Sequence, residues 1–270
     1  MNRPIAALTA LALVAFASGA RAQSPEPSPS KDAELAKQLT NPVANLISIP
    51  LQNNYDCCYG PQNGYRYTLN IQPVIPMSVS QSWNVIVRTI VPVIAQSESA
   101  PGQGFQSGLG DITQSFFFTP KAVRNGLIWA VGPAVLYPTA TNDLGSHQWG
   151  AGPTALLLKQ SGGASYGVLV NQIWSLGHSA GDTPISAAFI QPFLNYTFPS
   201  TTGLSANLES SYDWTRRQWT VPLNLGVSHL YSLAGQRISL GGNVRFYLAR
   251  PADGPDWGLR LTATLLLPKG

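Results

Sequence analysis

Every second residue of this chain is oily over most of its length, yet beyond the N-terminus no run of roughly twenty consecutive apolar residues occurs. The last segment shows the pattern: Leu259, Leu261, Ala263, Leu265 and Leu267 share one face of an extended strand, and Gly258, Arg260, Thr262 and Thr264 share the other. One segment earlier, Ile238, Leu240, Val244, Phe246 and Leu248 oppose Ser239, Gly241, Asn243, Arg245 and Tyr247. Before that, Trp219, Val221, Leu223, Leu225 and Val227 oppose Thr220, Asn224 and Ser228, and near the front Tyr67, Leu69 and Ile71 oppose Arg66, Thr68, Asn70 and Gln72. A period of two specifies strands and excludes helical membrane spans. A second face of Thr, Asn, Gly, Ser and Arg suits a water-filled lumen rather than a packed core.

Composition decides what the oily face meets. Charged residues make up 10% of the 270, against roughly 25% in ordinary soluble domains. With 44% hydrophobic residues and a mean hydropathy of +0.03, the chain cannot coat a soluble surface in the usual way. The expected fold is all-β: a transmembrane antiparallel up-and-down β-barrel spanning 46–268, in the bacterial outer membrane. About twelve segments are countable, centred near residues 49, 71, 88, 114, 132, 155, 170, 191, 207, 223, 243 and 262. Weak alternation over 107–120 and 164–178 leaves ten or fourteen strands as alternatives. A ten-residue strand tilted by ~40° climbs roughly 25 Å, the height of a lipid-facing band, and twelve close to roughly 24 Å across.

Short connections are expected at Ser80-Gln81, Val123-Arg124-Asn125, Ser161-Gly162-Gly163, Ser200-Thr201 and Ala234-Gly235. Mostly longer ones fall near 54–65, 96–107, 141–148, 177–184 and 249–256, with Thr215-Arg216-Arg217 a brief exception. Short turns on one side and long loops on the other is the outer-membrane arrangement, with both termini periplasmic. Aromatics collect at strand ends in two belts, where amphipathic rings favour the membrane–water boundaries. Trp149, Trp214, Trp219 and Trp257 flank the long-loop side; Trp83, Tyr166, Phe198 and Tyr231 flank the short-turn side. Mid-strand prolines (Pro73, Pro92, Pro133, Pro153, Pro192, Pro222) each forfeit a ladder hydrogen bond, so bulges or local water are expected there.

Ahead of the barrel, residues 1–22 read as a secretory signal peptide: Arg3, an apolar stretch from Pro4 to Phe16, and Ala20-Arg21-Ala22 as the cleavage site. Residues 23–45 form a Pro/Ser linker followed by a two-turn helix over Ala33–Leu39, stopped by Asn41-Pro42. This helix plugs or lines the periplasmic mouth, or is a plain tether; the tether is the favoured reading. Of 16 basic and 12 acidic residues only Arg3 and Arg21 fall in the leader, which leaves a net charge of about +2, too little for a nucleic-acid footprint.

Several phrases resemble a known family: LAKQLTNPVANLISIP (35–50), LNIQPVIP (69–76), SGLGDI (107–112), WGAGPT (149–154), QPFLNY (191–196) and SSYDW (210–214). Over nearly all of 35–268 they resemble the bacterial MetA-pathway-of-phenol-degradation-like proteins, often labelled "transporter" or "neuromedin U". The resemblance implies an outer-membrane barrel linked to uptake of aromatic or other hydrophobic compounds, and it brings no catalytic residues. The expected function is passive passage of small molecules, without cofactor or metal. Expected partners are outer-membrane lipid, a small solute and the barrel-assembly machinery.

Parity places Arg66, Arg88, Arg245 and Arg260 inward, together with Glu209 and Asp213. Arg245 and Arg260 are expected almost opposite each other across the last hairpin, where like charges are unfavourable unless carboxylates or an anion intervene. Two readings follow: a charged constriction selecting anionic solutes, or a salt-bridged brace, the brace being favoured. The competing classes are a barrel hydrolase, for which Gly177-His178-Ser179 beside Asp182 has suitable residue types, and a solute-free structural barrel. His147 and His229 are the remaining histidines, and Gly102–Gly108 is read as a flexible loop. The adjacent Cys57 and Cys58 are read as a local disulfide or incidental thiols, without a role.

Overall fold

The computed structural model describes residues 30–97, 104–177, 183–233 and 235–267; the expected signal peptide lies outside the described residues. One short helix, α1 (Lys31–Gln38), precedes strands β1 (Ile47–Tyr59), β2 (Gly64–Ile71), β3 (Val74–Ser78), β4 (Trp83–Gln96), β5 (Gln106–Leu109), β6 (Ile112–Pro120), β7 (Leu127–Tyr137) and β8 (Gly150–Ser161). They continue as β9 (Ala164–Ser175), β10 (Ser186–Thr197), β11 (Thr202–Leu208), β12 (Ser210–Asp213), β13 (Gln218–Leu233), β14 (Gln236–Ala249) and β15 (Trp257–Leu267). Three staves are broken, at Gln72-Pro73, at Gly110-Asp111 and at Glu209, so the fifteen strands build a closed twelve-stranded antiparallel barrel. Neighbours in sequence pair throughout, and β15 closes on β1 from Ile47↔Leu267 to Cys57↔Trp257. Closure leaves no edge strand, which is the condition for β-structure in lipid.

The outer face carries the alternating oily residues. Leu261 (66% exposed), Leu248 (63%) and Leu194 (55%) point away from the protein, whereas Arg260 and Arg245, on the same strands as the first two, are buried. Aromatics pair at the strand ends: Trp83 with Trp129 at 5.6 Å, Tyr196 with Phe198 at 4.9 Å, Tyr212 with Trp219 at 4.8 Å and Tyr137 with Trp149 at 5.2 Å between ring centroids.

The prolines are handled in two ways. Pro73 falls in the break between β2 and β3, and Pro222 sits at a register shift against β14. Pro133 and Pro153 instead face each other across β7 and β8. Because a strand residue points its N–H to one side only, the missing donors of such a pair aim outward, at β6 and β9. There the registered pairs jump from Ser115↔Ala134 to Phe118↔Val131 and from Ala151↔Trp174 to Thr154↔Asn171. Local lapses in the ladder thus replace a bulge at these two positions. At the 121–126 turn, Asn125 (φ 51°) and Gly126 (φ 71°) supply the two consecutive left-handed residues that a tight hairpin requires.

Two expectations are corrected. The long loop placed at 54–65 is mostly strand: β1 runs to Tyr59 and β2 starts at Gly64, leaving 60–63 as the turn. Its polar residues continue the alternation on the lumen side, with Asn54 and Asp56 buried and Tyr55 exposed. The lumen is also not wet throughout. Val74, Ile86, Phe117, Ala130, Leu156, Leu158 and Leu169 pack inside the barrel on one wall, against Val43 from the segment after α1. Where a strand is oily on both faces the period of two disappears, which accounts for the weak alternation over 107–120 and 164–178.

The helix starts earlier than expected, at Lys31, because Ser30 caps it: its Oγ accepts from the Ala33 N–H at 3.1 Å. The helix and the residues after it occupy the short-turn mouth, which corrects the tether reading. Arg237 Nε donates to Asp32 Oδ1 at 2.8 Å, Gln160 Nε2 donates to the Lys37 carbonyl at 3.4 Å, and Val43 joins the apolar wall.

Candidate functional site

Above the apolar wall, polar side chains from β1, β14, β15 and the break between β11 and β12 meet in a plate on one side of the lumen. Arg260 grips Glu209 with both terminal nitrogens, Nη1 to Oε1 at 2.7 Å and Nη2 to Oε2 at 2.8 Å. Its Nε donates to Asn54 Oδ1 at 2.5 Å, and Arg245 Nη1 donates to the same oxygen at 2.6 Å. Arg245 also faces Asp56 (Nε to Oδ1 3.3 Å), reaches Glu209 Oε2 at 3.9 Å and donates from Nη2 to the Tyr247 hydroxyl at 3.2 Å. Asn54 in turn donates to the Thr68 carbonyl at 3.0 Å. Asn54, Arg245 and Arg260 retain 2%, 7% and 6% exposure, so the plate is nearly sealed from solvent.

The two arginines stand almost opposite each other on neighbouring strands. Arg245 pairs with Gly258 and Arg260 with Asn243, one diagonal step apart. Gly258 makes the room: a Cβ there would come within 2.3 Å of Asp56 Oδ1. The expected repulsion is relieved by Glu209, Asp56 and the shared Asn54 oxygen, as buried charge demands.

Arg88 stands on the neighbouring wall. Its Nη2 donates to Gln72 Oε1 at 2.8 Å, and Gln72 Nε2 donates to Gln52 Oε1 at 2.7 Å. Gln72 occupies the break between β2 and β3, and Glu209 is itself a break, its N–H donating to the Pro222 carbonyl at 3.1 Å. Arg66 pairs in register with Asp56. Asp213 does not join the plate. Its Oδ1 accepts from the Thr215 and Arg216 N–H groups, both at 2.9 Å, and its Oδ2 meets Arg216 Nη1 at 2.8 Å, so it caps the 214–217 turn. Asn54 and Asp56 were missed because they were assigned to a loop; Gln72 and Tyr247 were placed on the lumen face but not in the site, because neutral residues carry no charge signal. Continuing the alternation of β1 past Gln52 would have found Asn54 and Asp56.

Below the plate lies a chamber of about 290 Å³, floored by Leu39, Asn41 and Pro42 and walled by residues such as Asn195, Ser205 and Thr262. Among the described residues no cluster of metal-ligating side chains occurs. His147 Nε2 hydrogen-bonds the Asn142 carbonyl at 2.5 Å, and His229 contacts the Thr202 hydroxyl at 2.9 Å. His178, Ser179 and Asp182 lie outside the described residues. Cys57 and Cys58 form a disulfide with each other.

A closed twelve-stranded barrel, oily outside and with polar side chains inside, is an outer-membrane β-barrel. No family model matches the sequence, and no curated protein matches it, so the family resemblance rests on its phrases alone. Among solved structures the chain is similar to an outer membrane channel from Pseudomonas putida F1, with a TM-score of 0.64 and 13% identity over 82% of this chain and 96% of that one. It is also similar to the NanC porin, with a TM-score of 0.51 and 8% identity over 82% of this chain and 100% of that one. Outer membrane phospholipase A from Escherichia coli follows at a TM-score of 0.47 and 10% identity, covering 86% and 98%. At these identities the likeness is one of fold.

Proposed function

We propose that this protein is a passive channel for small molecules across the outer membrane, with the segment before β1 as a displaceable stopper at its periplasmic mouth. The observation that carries this reading is where that segment sits: it floors a polar chamber at the short-turn mouth, with an ion pair to Arg237, a long hydrogen bond from Gln160 and Ala33, Val43 and Ala44 buried. The Arg237–Asp32 pair is partly exposed, so it contributes little, on the order of 0–1 kcal/mol. A barrel built only for rigidity gains nothing from a polar chamber above a separate inserted segment. The plate acts as a brace, because Arg245 and Arg260 are already engaged by Glu209, Asp56 and Asn54. The resemblance links the family to aromatic compounds, but the chamber is lined mostly by hydroxyls and amides, with Phe193 as its aromatic among the described residues, and this favours polar solutes.

The test is to pin the stopper. Asp32→Cys with Arg237→Cys places a disulfide where the ion pair stands. Oxidised protein in vesicles is expected to admit no small sugar, and reduction is expected to restore swelling. Equal swelling in both states removes the stopper; no swelling in either removes the channel.

A further inference from the structure

Three guanidiniums (Arg88, Arg245, Arg260) approach two carboxylates (Asp56, Glu209) at and beside the plate. Glu209 is gripped by Arg260 and reached by Arg245, and Asp56 faces Arg245. Among the described residues Arg88 makes no contact ion pair, although Glu209 attracts it at longer range. Of its five N–H donors, the hydrogen bonds among the described residues engage one, to Gln72. It is also the one charged side chain among the described residues that line the chamber. Glu209 attracts Arg88 at longer range, but both oxygens of that carboxylate are held by Arg260, so the Arg88 donors turned to the chamber favour an anion brought from outside.

We propose that the chamber is a binding site for a small, hydroxylated monocarboxylate, with the carboxylate on Arg88 and the hydroxyls on the other polar lining residues. The inference rests on the channel reading and names its substrate class. Arg88 offers the forked donor geometry that matches a carboxylate, and the Gln52–Gln72 relay fixes the orientation of that fork. Asn195, Ser205 and Asn243 line the chamber on other staves and Thr262 stands beside Gln52, donors and acceptors suited to hydroxyl groups rather than to a ring. Asn243 is held in place, donating to Ser205 Oγ at 3.2 Å. The volume of about 290 Å³ is roughly twice that of a ~150 Å³ cavity that accepts one benzene, which suits a five- or six-carbon acid.

The experiment is isothermal titration of the full chain in a polyoxyethylene-ether detergent, free of sugar headgroups, with gluconate, sorbitol and benzoate. Gluconate is expected to bind at least tenfold more tightly than either neutral sorbitol or apolar benzoate. Sorbitol equal to gluconate overturns the charge contact; benzoate equal to gluconate overturns the hydroxyl wall. Both comparisons use the unaltered protein and need no variant to fold. Arg88→Gln is expected to erase the preference for gluconate over sorbitol and Arg88→Lys to keep part of it; a preference that survives Arg88→Gln overturns the assignment. Vesicle swelling in sorbitol separates the two readings. Passage without gluconate binding leaves the channel and removes the site, whereas gluconate binding without passage of any solute removes the channel.

Discussion

Asn54 shows how a single neutral side chain organises the charges around it. Its one carbonyl oxygen accepts from both Arg245 and Arg260, and its amide nitrogen is spent on backbone carbonyls of Gln52 and Thr68. The oxygen therefore cannot rotate away, and the two cations are held a fixed step apart. Removing one partner from a buried pair leaves the other charge unsolvated, so Glu209→Ala is expected to destabilise the barrel by roughly 3–5 kcal/mol in urea unfolding from vesicles. Glu209→Gln combined with Arg260→Met removes both charges and is expected to recover most of that loss. If the single and double variants unfold at the same urea concentration, the plate is not a brace. The inward direction of Arg245, Arg260 and Glu209 was legible in the sequence from parity alone. Their partners were not, because which residues meet across a lumen depends on strand register and barrel closure.

Among the elements, α1 and the residues after it differ most from the staves. Ser30 caps the helix, Asp32 and Glu34 occupy its first turn and Lys37 its last, all favourable to the helix dipole. Eight residues are nevertheless too few for an isolated helix to persist, so its position depends on what it touches. Val43 is the anchor, 4% exposed among Val74, Ile86 and Phe117. Val43→Asp would bury a carboxylate among apolar side chains, and the segment is expected to leave the mouth instead. Vesicle swelling should then rise several-fold while the strand circular-dichroism signal stays unchanged; an unaltered swelling rate would mean that the segment does not obstruct the lumen. The helix was legible from Leu35, Leu39 and the Asn41-Pro42 stop, but its place inside the barrel was not, since Val43 looks the same facing lipid, water or a hidden wall.

For the molecule as a whole, the decisive quantity is the oily band outside. Leu261 lies mid-strand on β15, its side chain well exposed and flanked by Gly242 on β14. Leu261→Arg is expected to cost roughly 2–4 kcal/mol of folding free energy in vesicles, the value for a cation at the bilayer midplane. Arginine at the lumen-facing Thr262 should cost much less, and equal costs at the two positions would contradict the inside–outside assignment. The sequence by itself determined that the chain is an outer-membrane barrel of about twelve staves, because a period of two and a shortage of charge are local properties that survive without knowledge of neighbours; the structure fixed the count at twelve. Only the tertiary structure decided that one wall of the lumen is packed, that the segment before β1 sits in the mouth, and which carboxylate each arginine contacts. Those outcomes are set by contacts between residues far apart in the chain, and the hydrophobic and charged groups that make them look the same in sequence whichever partner closure brings to them.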